Sequence, residues 1–492
     1  MTALSTGTLA QLAAALPVPA YDRAGLVPGI VHLGVGGFHR AHQAAYVDTL
    51  LGGGGSEQWG ICGVGVLPGD RRMRDALSAQ DGLYTLVVKH PDGRLEPRVI
   101  GSLVEHLLAP DDPERVVEKL AAASTRIVSL TITEGGYNLD ADMAEFDGDD
   151  PAVVRDLRPG AVPETVFGLV TEALARRRDR ALPPFTVVSC DNIEGNGDVA
   201  RRAFGAFARL RDPALADWVD EQVRFPSSMV DRITPVSSEQ DQRALAEQFG
   251  VDDAWPVVCE PYTQWVLEDS FAAGRPALEE CGVQLVDDVR PYELMKLRLL
   301  NAGHQALGYL GVLAGYRYAH EAAADPLFAR FLLAYMSDEA TPTLLPVPGV
   351  DLPAYRATLV ERFANPEVRD TLERLCTDSS DRIPKFLLPV VREQLRTGRE
   401  LHRSALVVAA WARYAEGVDE QGRPIEVVDR RRDDLTAAAR RQGEDPLAFL
   451  RDRQLFGDLA EQPRFTAAYT AALHSLHRRG ARATLADLPG ST

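Results

Sequence analysis

The chain has 492 residues, enough for two or three domains with sizeable cores. Hydrophobic residues make up 45% and charged residues 25%, the balance of an ordinary globular protein, and the formal charge of −18 argues against nucleic acid or an anionic membrane surface as partner. No apolar run is long enough to span a bilayer.

The N-terminus lacks a basic segment and reads as a short capped helix, not a signal peptide. The five cysteines are scattered and never spaced CxxC, which predicts reduced, mostly buried thiols in a cytoplasmic protein. The first strong strand, Gly29 to Val35, runs into GVGGFHRAH, a strand–glycine turn–helix layout suited to a dinucleotide. Gly34 would make the tight turn and Gly36 would admit a pyrophosphate to the backbone. Gly37 or the next residues would open the helix, whose positive end favours the anion. The GxGxxG match is incomplete, because His39 stands where the third glycine belongs, and a glycine turn without a ligand fits as well. His39 and His42 have a metal-compatible spacing but no acid or cysteine near in sequence, which favours packing or capping.

A second strand, Trp59 to Leu67, ends at Asp70, the position of a ribose-hydroxyl acceptor that disfavours a 2′-phosphate; a plain turn aspartate serves equally. Arg71 and Arg72 follow, and either suits a 2′-phosphate. A hairpin (Tyr84 to Val88 with Arg98 to Ile100) comes next, then a helix after Pro113 and a β-branched strand from Arg126 to Thr133. That strand leads into a turn beginning at Glu134. A helix from Pro163 precedes the strand Phe185 to Cys190. This alternation predicts an α/β fold with a mostly parallel sheet, whose ligands collect at the carboxyl ends of its strands, where Asp191, Asn192 and Asn196 stand. Asn192 fits a turn equally well. FPSSMVDRITP, from Phe225 to Pro235, reads as a polar loop containing Asp231 and Arg232, and Tyr262 to Ser270 as an extended segment. The charge runs Arg176 to Arg180 and Arg430 to Asp434 read as solvated helix faces.

Arg290 to Tyr309, RPYELMKLRLLNAGHQALGY, predicts a helix entered at Pro291. At 100° per residue Glu293, Lys296, Asn301 and His304 share an arc of roughly 140°, with Met295, Leu299, Ala302 and Ala306 opposite. Leucines among the polar four predict a side that does not simply face water. The set suits proton transfer from an alcohol with amide donors at the oxygen. An ordinary lysine is protonated at neutral pH, so such a base requires burial. From about Ala319 the pattern is helical.

Six stretches in this order, GVGGFHRAHQ, GICGVGVLPGD, SLTITEGGY, SCDNIEGNG, FPSSMVDRITP and KLRLLNAGH, resemble the polyol-specific long-chain dehydrogenase/reductase family over nearly the whole length. The resemblance implies a Rossmann-type cofactor-binding domain (1–285) and a mostly α-helical catalytic domain (286–492). It also implies metal-independent, NAD-linked oxidation of a secondary alcohol in a polyol, or the reverse reduction of a ketose. The family's catalytic lysine falls on Lys296, its amide partners on Asn192 and Asn301, and a proton-gating acid on Glu293. Substrate contacts fall on His304, Asp231, Arg374 and Arg382, the last where lysine is expected. Cofactor contacts fall on Gly34, Gly36, Gly37, Phe38, Asp70, Thr133 and Glu134. Gly69 before Asp70 departs from the paired acids of the family, which leaves NAD preferred with some NADP use. Charge and the lack of a long apolar run predict no membrane partner, and no obligate protein partner is evident in the sequence. Within the family, a fructuronate reductase or a D-arabinitol 4-dehydrogenase is the alternative, and Asp231 suits a neutral polyol better than a uronate. Outside it stand a zinc alcohol dehydrogenase built on His39 and His42, and a non-catalytic dinucleotide sensor.

Overall fold

A computed structural model describes residues 1–139 and 145–488. The chain divides into two compact units, Met1–Arg290 and Pro291–Thr492.

The first unit is built on a five-stranded, all-parallel sheet of β1 (Pro28–Leu33), β2 (Gly60–Gly65), β3 (Leu103–Leu108), β4 (Ile127–Leu130) and β5 (Thr186–Ser189). Their spatial order is β3-β2-β1-β4-β5, the dinucleotide-binding order with its switch point beside β1. These strands are covered on both faces, which is why they read in the sequence as near-continuous apolar runs. Val31, Leu33, Val64, Val128, Leu130 and Val187 join the aromatic cluster of Phe167, Phe204 and Phe207 in one core. Ile30, Ile61 and Val188 pack with Trp59, Tyr84 and Trp265 in another. The predicted hairpin forms, Tyr84–Lys89 pairing antiparallel with Leu95–Ile100, and Val257–Cys259 adds in parallel.

Two sequence expectations change here. Phe225 to Pro235 is not a loop throughout: Ser228–Asp231 is a buried strand, antiparallel to Gln264–Glu268. Its serines and aspartate disguise it, and flanking prolines read as loop signals, but its backbone is satisfied by the neighbouring strand. The run at Arg176 to Arg180 is not wholly solvated either. Arg177 is fully buried and donates to the carbonyls of Pro183 (2.7 Å), Ala122 (2.6 Å) and Thr125 (2.9 Å). Burial lowers its pKa to about 10; the guanidinium stays charged and spends its donors on strand and helix ends.

The second unit is helical. Its centre is a continuous helical stretch from Arg290 to Leu313, flanked by Pro326–Ala334, His402–Tyr414 and the C-terminal Pro463–Ala486. The stretch is not one α-helix: Lys296–Asn301 is a π-helix between α-helical Arg290–Met295 and Ala302–Leu313. A second π segment, Tyr335–Ala340, packs against the first.

Candidate active site

In the first unit the polar residues gather where the five parallel strands end. Gly34 follows β1 with φ +92°, and a Cβ there would meet the Thr131 carbonyl oxygen at 2.2 Å, so only glycine fits. Gly36 is different. A Cβ on it would meet nothing of the protein closer than 3.9 Å, and one on Gly37 would make ordinary contacts from 3.6 Å. Protein packing does not require these two glycines; open backbone beside them suits a bound phosphate. The helix opens at Gly37 as expected but runs only to Ala41, breaking at His42 before Gln43–Gly52.

His39 explains the missing third glycine. Its ring lies flat on His32 of β1, centroids 3.5 Å apart and planes at 9°, so a planar side chain gives the close helix–strand approach that glycine otherwise allows. His32 bonds Ser129 Oγ (2.8 Å) and Thr131 Oγ1 (2.9 Å). Burial holds His32 at about 3 and His39 well below the usual imidazole range, so both are neutral. His42 donates to the Gln264 carbonyl (2.9 Å) and packs among Phe38, Tyr46 and Trp265. Among the described residues no three His, Cys, Asp or Glu form a group able to hold a metal.

At the end of β2, Asp70 Oδ2 accepts from the backbone N–H groups of Val66 and Leu67, both at 2.9 Å. It is therefore a turn aspartate, with its second oxygen left for other partners. After β4 comes Thr133, exposed and at φ +64°, a conformation costly for a β-branched residue. Asp191, at the end of β5, supports it: Oδ1 accepts from Thr133 N–H (2.8 Å), and Oδ2 from Ile132 N–H (3.2 Å) and Tyr137 hydroxyl (2.8 Å). Burial raises the Asp191 carboxyl while these donors oppose the rise. Glu134 beside Thr133 is exposed. Asn192 is exposed next to the anchored Asp191, and buried Asn196 ties the turn down. Its Nδ2 donates to the carbonyls of Asp191 (3.0 Å) and Ser228 (2.8 Å), and its Oδ1 accepts from Ser228 N–H (2.9 Å). The strand so held ends at Asp231, 4% exposed. The supporting roles of Asp191 and Asn196 were not legible in the sequence, which places both at the carboxyl end of a strand among candidate ligand contacts.

In the second unit Glu293, Lys296 and Asn301 are 5%, 7% and 7% exposed, and His304 is half-buried over the Phe363 ring. Met295, Leu299, Ala302 and Ala306 are fully buried, as expected, and so is Leu307. The π register was not expected. In an α-helix Lys296 and Asn301 would point about 140° apart; in a turn closed by i→i+5 bonds they become neighbours on one face, as residues i and i+4 are in an α-helix. Ala302 N–H donates to Leu297 O, the i→i+5 bond that marks this register. Tyr335 of the second π segment donates its hydroxyl to the Arg298 carbonyl (3.1 Å), and the Arg298 guanidinium donates to the Thr343 carbonyl. These bonds clamp the wide turn from outside. Asn301 Nδ2 is buried with no hydrogen-bond partner among the described residues, a rare and costly state that points to a missing acceptor.

Arg374 and Arg382 are less available than the sequence suggests. Arg374 is ion-paired with Asp370, its Nε 2.5 Å from Oδ1. Arg382 Nη1 donates to the Arg374 and Leu375 carbonyls, both at 3.2 Å.

The strand order, the Gly34 turn and the polar loops at the strand ends define a Rossmann-type dinucleotide-binding protein with a helical second unit. Residues 28–280 match the mannitol dehydrogenase Rossmann domain and residues 288–477 the mannitol dehydrogenase C-terminal domain. The chain belongs to the mannitol dehydrogenase family. It is 47% identical to a mannitol 2-dehydrogenase of Aspergillus fumigatus over 493 aligned residues, 98% of each chain. To the Phaeosphaeria nodorum mannitol 2-dehydrogenase it is 48% identical, over 98% of this chain and 85% of that one. Among solved structures, Pseudomonas fluorescens mannitol 2-dehydrogenase in a ternary complex with NAD and D-mannitol superposes with a TM-score of 0.88 at 47% identity, covering 98% and 99% of the two chains. A substrate-free D-sorbitol dehydrogenase superposes at 0.90 with 38% identity, covering 98% and 100%.

Proposed function

We propose that this protein is an NAD-dependent oxidoreductase that interconverts D-mannitol and D-fructose without a metal. Relatives that act on mannitol align over nearly the full length. The observation that carries the chemistry is the π turn Lys296–Asn301, which begins with a buried amine and ends with a buried amide whose Nδ2 has no acceptor among the described residues.

The Gly34 turn and the open backbone at Gly36 and Gly37 fit a pyrophosphate, with Phe38, Asp70, Thr133 and Glu134 as the further contacts of this chain with the dinucleotide. NAD, when bound, supplies the hydride acceptor. Lys296 takes the proton of the C2 hydroxyl; a base on an amine needs the neutral form, which withdrawal from water favours. The Asn301 and Asn192 amides donate to the oxygen as negative charge develops on it, the part a zinc ion plays in other dehydrogenases. Glu293, three residues before Lys296 on the same helix, passes the proton outward. His304 and Asp231 read the other hydroxyls.

A neutral polyol fits better than a uronate. A uronate needs a free cation, and both arginines offered by the sequence are engaged, Arg374 by Asp370 and Arg382 by backbone carbonyls. The free thiols of all five cysteines agree with a reducing, cytoplasmic setting. The test is NADH formation on mannitol, arabinitol, sorbitol and fructuronate's alcohol, alongside Lys296→Ala. Mannitol should give the highest kcat/KM, and the variant should bind NADH yet lose turnover. A Lys296→Ala enzyme oxidising mannitol at the wild-type rate at neutral pH would end the mechanism, and a preferred uronate would end the substrate assignment.

A further inference from the structure

The helix after β2 begins with arginines at the place where a Rossmann sheet meets the adenosine ribose. There an acid favours NAD, and an arginine accommodates the 2′-phosphate of NADP. The acid, Asp70, spends one oxygen on its own turn. The arginines are not idle. Arg71 makes a bidentate pair with Asp111, three residues beyond β3, Nη1 to Oδ2 at 2.7 Å and Nη2 to Oδ1. Arg74 Nη2 reaches the same Asp111 Oδ2 at 3.0 Å, and its Nε binds Asp75 at 2.6 Å. Arg72 lies instead against the Trp255 ring. One carboxylate thus occupies two guanidinium groups, and the bonds from Arg71 and Arg74 hold that carboxyl below the usual range, so it is ionised.

We propose that Asp111 is a specificity-determining residue: it occupies Arg71 with a bidentate pair and withholds from the 2′-phosphate of NADP the guanidinium that directly follows Asp70. Asp70 repels the phosphate, Asp111 withholds its counter-charge, and discrimination is divided between the two. Arg71 is the group released when Asp111 loses its charge, since Arg74 keeps Asp75. Arg71 matches a phosphate as well as it matches a carboxylate, because both accept its planar fork through two oxygens.

This inference rests on the reading of the Gly34 turn as a dinucleotide site. The full-length protein, Asp111→Asn, Asp111→Glu and the double variant Asp111→Asn/Arg71→Ala are titrated with NADH and NADPH by nucleotide fluorescence, and kcat/KM is measured with both oxidised cofactors. One charge-assisted bidentate contact is worth about tenfold or more, so Asp111→Asn should raise NADPH affinity relative to NADH by at least about tenfold. Asp111→Glu should keep the wild-type ratio, and the double variant should lose the gain. An unchanged ratio in Asp111→Asn, or a gain that survives removal of Arg71, overturns the proposal. Wild-type protein that binds neither nucleotide would instead overturn the dinucleotide reading beneath it.

Discussion

Replacing Asn301 with alanine separates a catalytic amide from a structural one, because the two roles predict opposite effects on stability. The side chain is 7% exposed and its Nδ2 has no acceptor among the described residues. An unpaired buried donor costs about 1–3 kcal/mol, which the substitution removes. Alanine also gains roughly 0.5 kcal/mol of helix propensity over asparagine. Against this stands the lost packing of about one carbon, near 0.8 kcal/mol. The balance leaves the variant more stable than the wild type by about 0.7–2.7 kcal/mol. Catalysis moves the other way. An oxyanion donor is worth about 2.7–4 kcal/mol of barrier, so kcat should fall roughly 10²–10³-fold. The assay pairs a thermal melt of the full chain with kcat at saturating mannitol. A melting temperature at or above wild type with a hundredfold loss of kcat is expected. A variant that melts several degrees lower and keeps kcat within tenfold of wild type would show that the amide holds structure, and the reasoning would fail.

Other perturbations read other parts of the site. Asn196→Ala breaks three buried hydrogen bonds and should cost about 2–4 kcal/mol, seen as a lower denaturant midpoint; an unchanged midpoint would refute its anchoring role. The folded-state pKa of His106 is lowered by burial to about 4 and that of His32 to about 3. The unfolded chain therefore binds more protons below pH 6.5, and stability present above that pH is lost as pH falls toward 4. Each histidine contributes about 1.4 kcal/mol per pH unit inside the window. His106→Leu should flatten the stability–pH slope between pH 6.5 and 4, and an identical slope would count against neutral burial of the imidazole. Exhaustive dialysis against EDTA should leave mannitol oxidation intact; a loss reversed by zinc would contradict the amide-based reading of the oxyanion site.

The sheet was legible because parallel strands buried on both faces leave continuous β-branched runs, as in RIVSLTIT, closed by glycine or acid at the carboxyl end. The strand Ser228–Asp231 escaped because half its residues are polar. It is buried for the sake of what it delivers, Asp231 at its end, and its polar groups are met by Asn196 and a neighbouring strand, which local pattern does not reveal. Arg177 escaped for a similar reason: a buried guanidinium is recognised by the carbonyls around it, which come from segments far away in sequence. Asp191 was placed at the correct strand end, yet its task is to hold the strained Thr133 backbone, and no residue type announces a positive φ at a threonine.

The π turn is the feature that sequence periodicity misdescribes most and that the proposed chemistry needs most. At 100° per residue the sequence gathers an acid, an amine, an amide and an imidazole on one broad side, yet it leaves Lys296 and Asn301 at opposite edges of that arc. Widening one turn closes the gap between them. Nothing in KLRLLN distinguishes an i→i+4 from an i→i+5 ladder, since the leucines find burial in either register. The register is imposed from outside the segment, by the Tyr335 hydroxyl on the Arg298 carbonyl and by Arg298 on the Thr343 carbonyl. A helix selected for stability alone would carry neither a π turn nor an unpaired buried amide. Here the π turn and an amide with no acceptor among the described residues both fall within Lys296–Asn301, so the helix departs from its most stable form at the place where an alcohol would give up its proton.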